Sequence, residues 1–185
     1  IDGSKEIQVL EHPRELVQML DDCMADLNNG VAGHRLPHRL VHRIFRGSAA
    51  DRKTADALLE TILQQHPDYV HSTMHDGLTP LLVAVSYAPA YAELPIELPM
   101  MTRRVIDLLL KYDSNPNFTV PSSGENLMHM VAYHSGDNKI LIEHLLRNAR
   151  IDSCLSILKD DRGVMPIRST YANRMQNTQL LRQKR

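Results

Sequence analysis

Two stretches of the chain echo each other, and a third lies between them. Leu40-Val41-His42-Arg43-Ile44 is matched by Leu127-Met128-His129-Met130-Val131, and Gly77-Leu78-Thr79-Pro80-Leu81-Leu82-Val83-Ala84 stands in the gap. Each opens a short helical stretch that leads on to a second aliphatic helix. Gly47-Ser48 breaks the first copy before its second helix and Ser135-Gly136 the third. The second helices carry Leu58, Leu59, Ile62 and Leu63, then Val105, Ile106, Leu109 and Leu110, then Ile140, Ile142, Leu145 and Leu146. A shorter fourth copy reads Gly163-Val164-Met165-Pro166-Ile167. Aligned on His42, Leu82, His129 and Arg168, successive copies lie 40, 47 and 39 residues apart. A period of two helices plus a connector excludes most single-core folds, because one such unit cannot bury its own apolar face. The paired leucines, with Leu109 and Leu146 as examples, are expected in the seam between neighbouring units.

Composition agrees with stacked helices. Aromatic residues are 4% of the chain and Trp is absent, so a core must be built from aliphatic side chains. That favours an all-α solenoid over a β-sandwich. The net charge of -1 provides no global field for nucleic acid or a membrane. The two cysteines, Cys23 and Cys154, have neither disulfide-scaffold density nor zinc-ligand spacing, which points to a reducing, intracellular compartment, cytoplasm or nucleus. The first residue is Ile1, so the chain is expected to be part of something longer.

Residues 12–27 read as a helix, with Pro13 in its first turn, an apolar stripe from Leu16 to Leu27, and a stop at Asn28-Asn29-Gly30. The domain plan is therefore a capping helix and linker at 1–35, repeats at 36–73, 74–120 and 121–159 with a partial one at 160–172, and a basic tail at 173–185.

The copy at 74–120 resembles the ankyrin family. The family repeat reads roughly Asp-x-x-Gly-x-Thr-Pro-Leu-His-x-Ala-Ala, a break, then Val-x-x-Leu-Leu and Gly-Ala-Asp-x-Asn. The matching residues here are Asp76-Gly77-Leu78-Thr79-Pro80-Leu81, then Val105-Ile106-Asp107-Leu108-Leu109-Leu110 leading to Asn115-Pro116-Asn117. Thr79 is suited to cap the first helix, Pro80 to begin it, and Gly77 to turn the connector. Leu82 and Arg168 stand where the family has His, and Leu127 where it has Pro. The resemblance implies an ankyrin-repeat solenoid. His42 and His129 would hydrogen-bond across connectors, Asp160-Asp161 would open a repeat, and Asn117 would steady a hairpin loop.

It also implies a protein–protein interaction module. Ankyrin domains bind through connector fingers and the exposed side of the first helices. Carried over, those positions are His75, Asp76, Leu78, Ser86 and Tyr87 in one repeat, and Ser122, Ser123, Glu125, Tyr133 and His134 in the next, with Tyr87 and Tyr133 taken as equivalents. Arg43 and Arg46 add a basic end. The stretch from His34 to Arg46 contains no acid, and Arg35, Arg39 and Arg43, like His34, His38 and His42, recur every four residues. The ridge is either a solvated face or a contact for an acidic partner. Nucleic acid is the weakest reading, since the ridge offers no run of stacking aromatics. The partner expected is a protein segment, extended or helical, with acidic character. The insertion at 88–100 holds three prolines that argue against helix. Its Tyr91, Leu94, Ile96 and Leu98 either dock on their own repeat or contact a partner.

No chemistry is legible beside this. There is no nucleophile elbow, phosphate loop or His-Glu-x-x-His, so no enzyme activity and no cofactor is expected. His38 and His42 have zinc-compatible spacing but no further ligand beside them, so no metal site is expected. No apolar run approaches a membrane span. The alternative is a regulatory or substrate-recruiting ankyrin domain of a larger enzyme.

Overall fold

The computed structural model describes residues 35–87, 97–133, 139–148 and 150–166, with backbone alone at 97–99, 133, 139–140 and 153. The capping helix expected at 12–27, the fourth-copy residues from Ile167 and the basic tail lie outside the described residues. Those described form six α-helices: α1 (Leu36–Arg46), α2 (Ala49–Gln65), α3 (Pro80–Ser86), α4 (Glu97–Lys111), α5 (Leu127–Tyr133) and α6 (Lys139–Leu146). Short 3-10 turns cover Pro67–His71 and Ser153–Ser156.

Local chemistry places the helix starts. Pro37 lies in the first turn of α1, where a missing N–H is harmless. Ser48 and Asp51 close a reciprocal capping box on α2. Thr79 Oγ1 accepts the Leu82 N–H at 3.3 Å, and Pro80 is the first residue of α3. Asn126 Oδ1 accepts the N–H groups of Met128 and His129 at 3.0 and 3.2 Å, capping α5 without a proline. One expectation is corrected here. The end of the 88–100 insertion is helical, because α4 begins at Glu97 and holds Pro99 in its first turn. Leu98 is therefore a helix residue, whereas Tyr91, Leu94 and Ile96 lie outside the described residues.

Helices pair within each copy, α1 with α2, α3 with α4 and α5 with α6, and the first helices α1, α3 and α5 pack in a row. One continuous aliphatic core runs through all of them, from Leu36 and Leu40 through Leu81 and Leu109 to Leu141 and Leu145. The second helices are tied by polar links. Arg104 Nε meets Asp56 Oδ2 at 2.6 Å and Arg104 Nη2 meets Glu60 Oε2 at 3.1 Å, joining α4 to α2. His144 Nε2 lies 2.9 Å from Asp107 Oδ1, joining α6 to α4. Asn117 Nδ2 donates to the Arg150 carbonyl at 2.9 Å, and its Oδ1 accepts the Asp152 N–H at 2.9 Å, so the loops after α4 and α6 are stitched together. Leu146, expected in the seam, is 49% exposed. Among the described side chains of α6, the buried ones are Leu141 and Leu145, four apart, and Leu146 is turned about 100° from that line.

The connectors repeat one hydrogen-bond pattern. Met74 N–H donates to Leu78 O and Gly77 N–H to Met74 O. Val120 and Gly124 do the same with Glu125 O and Val120 O, and Asp160 and Gly163 with Val164 O and Asp160 O. Each turn passes through a glycine at positive φ: 82° at Gly77, 69° at Gly124 and 74° at Gly163. Successive connectors also touch, since Asp161 N–H donates to Ser123 O at 3.0 Å. A Cβ on Gly124 would stand 2.5 Å from Asp161 Oδ1 and 2.8 Å from its backbone nitrogen, whereas one on Gly163 meets nothing within 4 Å. Gly124→Ala is therefore expected to cost about 2–3 kcal/mol from both strain and collision, and Gly163→Ala about 1 kcal/mol from strain alone. Urea denaturation of both variants checks this. Equal losses would mean that the contact between connectors carries no weight.

Candidate interaction surface

The site is built outward from α1. Its buried line is Leu36, Pro37, His38, Leu40, Val41 and Ile44. That phase leaves Arg35, Arg39, His42, Arg43 and Arg46 exposed. Two of these, Arg43 and Arg46, lie in the last turn, where the helix dipole favours cations. The expected basic ridge therefore exists, but its histidine row does not. His38 points inward and His42 outward.

Tyr87 caps the C-terminus of α3 and meets the last turn of α1. The His42 ring packs edge-on against it at 5.2 Å, and the Phe45 ring lies nearly parallel at 6.4 Å. The Arg46 guanidinium sits over the Tyr87 ring, 5.2 Å from its centre. A cation at that range on an aromatic face is attracted by the ring quadrupole. Tyr87 and Phe45 are half-buried, while His42 and Arg46 remain exposed. The structure thus brings together Arg46 and Tyr87, which the sequence places near one face, and adds His42 and Phe45. Arg35, Arg43 and Arg46 form no ion pair among the described residues. Arg104, Lys111, Arg147 and Arg150, beyond the first-helix row, each have a carboxylate partner.

The fingertip residues divide into two kinds. His75 and Ser122 are exposed. Asp76, also exposed, accepts the Leu78 N–H through Oδ1 at 3.1 Å. Ser123 Oγ donates to Glu125 Oε2 at 3.2 Å and its carbonyl binds the next connector. Leu78, Ser123 and Glu125 are half-buried and committed to the fold through their backbones. Ser86 is half-buried, its hydroxyl donating to Val83 O at 2.9 Å.

Two register corrections follow from the helix starts. His38, Leu82 and His129 are each the third residue of their helix. His38 Nε2 donates to Leu78 O at 2.9 Å, as His129 Nε2 donates to Val164 O at 3.0 Å. The connector histidine of the first copy is therefore His38, not His42, and the spacing to Leu82 is 44 residues. Pro37 set this phase by fixing the helix start. In the same register Ser86 is matched by Tyr133 and Tyr87 by His134, so the two tyrosines are not equivalent. The Tyr133 side chain and His134 lie outside the described residues.

Among the described residues no group of three or more His, Cys, Asp or Glu is placed to hold a metal ion. No described helix is long and apolar enough to cross a membrane. Cys154 is exposed, and the hydrogen bond and charge of Asp152 push its thiol up from the ordinary range, away from nucleophilic use. Scanned against protein-family models, the sequence matches none, and searches of curated proteins and of solved structures return no significant match.

Proposed function

We propose that this chain is a protein-interaction module, a stack of ankyrin-like repeats that binds a partner protein along its first helices and connector tips. The observation that most supports this reading is how the polar chemistry is divided. Inside the stack, Thr79, Asn126, His38 and His129 are taken up by caps and connector bonds. On the first-helix row, Arg43, Arg46, His42 and Tyr87 lie at the surface, and neither arginine has a carboxylate partner among the described residues. Residues of that kind, an aromatic body beside a planar cation, are what binding hot spots are made of. The exposed tips His75 and Ser122 extend the same surface toward the next repeat.

Photo-crosslinking in the source cell tests the reading. A photoreactive residue replaces His75, Ser122 or Tyr87, and in control proteins Lys53 or Ala57, both exposed on α2. The expected result is one common crosslinked protein from the first three positions and none from the α2 pair. Crosslinks confined to the α2 positions, or none from any position, would remove the proposal.

A further inference from the structure

We infer that the partner segment on this surface is an acidic peptide, anchored by Arg43 and Arg46 beside Tyr87; this rests on the protein-interaction reading above. The inference comes from an imbalance of charge. Helix α1 presents Arg35, Arg43 and Arg46 and contains no acid. None of the three has a carboxylate partner among the described residues, and α1 carries no acid of its own, unlike α2, where Arg52 and Lys53 share the helix with Asp51, Asp56 and Glu60. Cations concentrated on one helix that carries no acid attract carboxylates and steer their approach.

The corner at Tyr87 adds shape to the charge. Arg46 is held over the ring, so part of its rotamer entropy is already lost before a ligand arrives. Arg46 stays exposed, and a guanidinium carries parallel N–H donors that match a carboxylate in a fork. Tyr87 lies beneath it, Phe45 stacks against Tyr87, and the exposed part of these half-buried rings offers apolar surface to a neighbouring aliphatic side chain. From Arg35 to Arg46 the helix rises about 16 Å, the reach of about five residues of extended chain. Acids at alternate positions of such a segment fall on one side, toward the cations. A phosphate backbone would also answer the charge, but the ridge lacks the succession of exposed aromatic faces that single strands use.

Three fluorescein-labelled probes decide the matter by anisotropy. The first is a peptide of about eleven residues alternating Glu with Ser, long enough to span the ridge. The second is the same peptide with Gln for Glu, and the third a single-stranded DNA of similar length. Arg43→Glu/Arg46→Glu is compared with Lys53→Glu/Arg147→Glu, which changes net charge equally at exposed sites outside the first-helix row. Circular dichroism checks that both remain folded. The acidic peptide is expected to bind better than its Gln counterpart, to lose about tenfold in affinity with Arg43→Glu/Arg46→Glu, and to keep wild-type affinity within about twofold in the control. Equal binding of the Glu and Gln peptides, or equal loss in both variants, overturns the acidic partner while the crosslinks from His75 and Ser122 still decide the interaction reading. DNA bound more tightly than the acidic peptide, and lost on reversal at Arg43 and Arg46, overturns both.

Discussion

Leu109→Ala is expected to lower the stability of the domain by about 2–5 kcal/mol, while Leu146→Ala costs less than about 1 kcal/mol. The two residues are chemically identical, but Leu109 is the first of its leucine pair and Leu146 the second of its own. Their surroundings differ. Leu109 is fully buried in the core cluster, with Ile106 and Leu110 beside it on α4. Truncation there removes three carbons and leaves a cavity that the packed helices of both neighbours resist filling. Leu146 is half-exposed on α6, so its side chain gains little from the folded state. Because a stacked array passes cohesion from unit to unit, loss at Leu109 is also expected to broaden the urea transition. Chemical denaturation of the two variants provides the check. Equal losses would place Leu146 in a packed seam and contradict its exposure.

The phase error at Leu146 has the same origin as the one at His38. Sequence patterning fixes where a helix is strongly amphipathic or sharply capped. Gly77, Thr79 and Pro80 each have a local physical role, and all three sit where those roles require. Ser48 and Asp51 do likewise, although only the break at Gly47-Ser48 was read. His34, His38 and His42, by contrast, share one spacing, and nothing in the spacing says which member turns inward. The inward choice is made by the start of α1 and by a carbonyl 40 residues away, at Leu78. Leu145 and Leu146 pose the same problem with adjacent identical residues. The surface cluster was half legible for a related reason. Arg46 and Tyr87 follow from the repeat resemblance, but Phe45 and His42 enter only because the end of α3, at Tyr87, meets the last turn of α1. The link from Asp56 and Glu60 to Arg104 spans more than forty residues and leaves no trace in local sequence.

His129→Ala is expected to cost about 3–4 kcal/mol, because one buried ring joins two connectors. His129 Nδ1 accepts the Asn126 N–H at 3.2 Å, so the proton resides on Nε2, which donates to Val164 O at 3.0 Å. Removing the ring strands the buried Asn126 donor and opens a void. His38 makes only the second of these bonds, and its Nδ1 is buried without a partner. Protonation there would create a buried charged donor with no acceptor, and burial accordingly pushes the His38 imidazole below its ordinary range, against the Leu78 carbonyl and the charge of Asp76, which raise it. With the folded value depressed, the unfolded chain takes up the proton first as pH falls through about 6.5. The stability that neutral His38 contributes is therefore complete above that pH and is lost below it, toward the lower folded value. His38→Leu copies the residue that the chain itself uses at the equivalent Leu82. At pH near 7.5 it is expected to be less stable than wild type by about 1 kcal/mol, the net worth of one hydrogen bond, since Leu78 O keeps the Met74 N–H. Near pH 5.5 the gap should narrow or reverse, because only the wild type then bears the cost of excluding the proton. The other titrating groups are common to both proteins and largely cancel in the difference. Urea denaturation of the pair at the two pH values measures it, and a gap that widens on acidification would refute a neutral, buried His38.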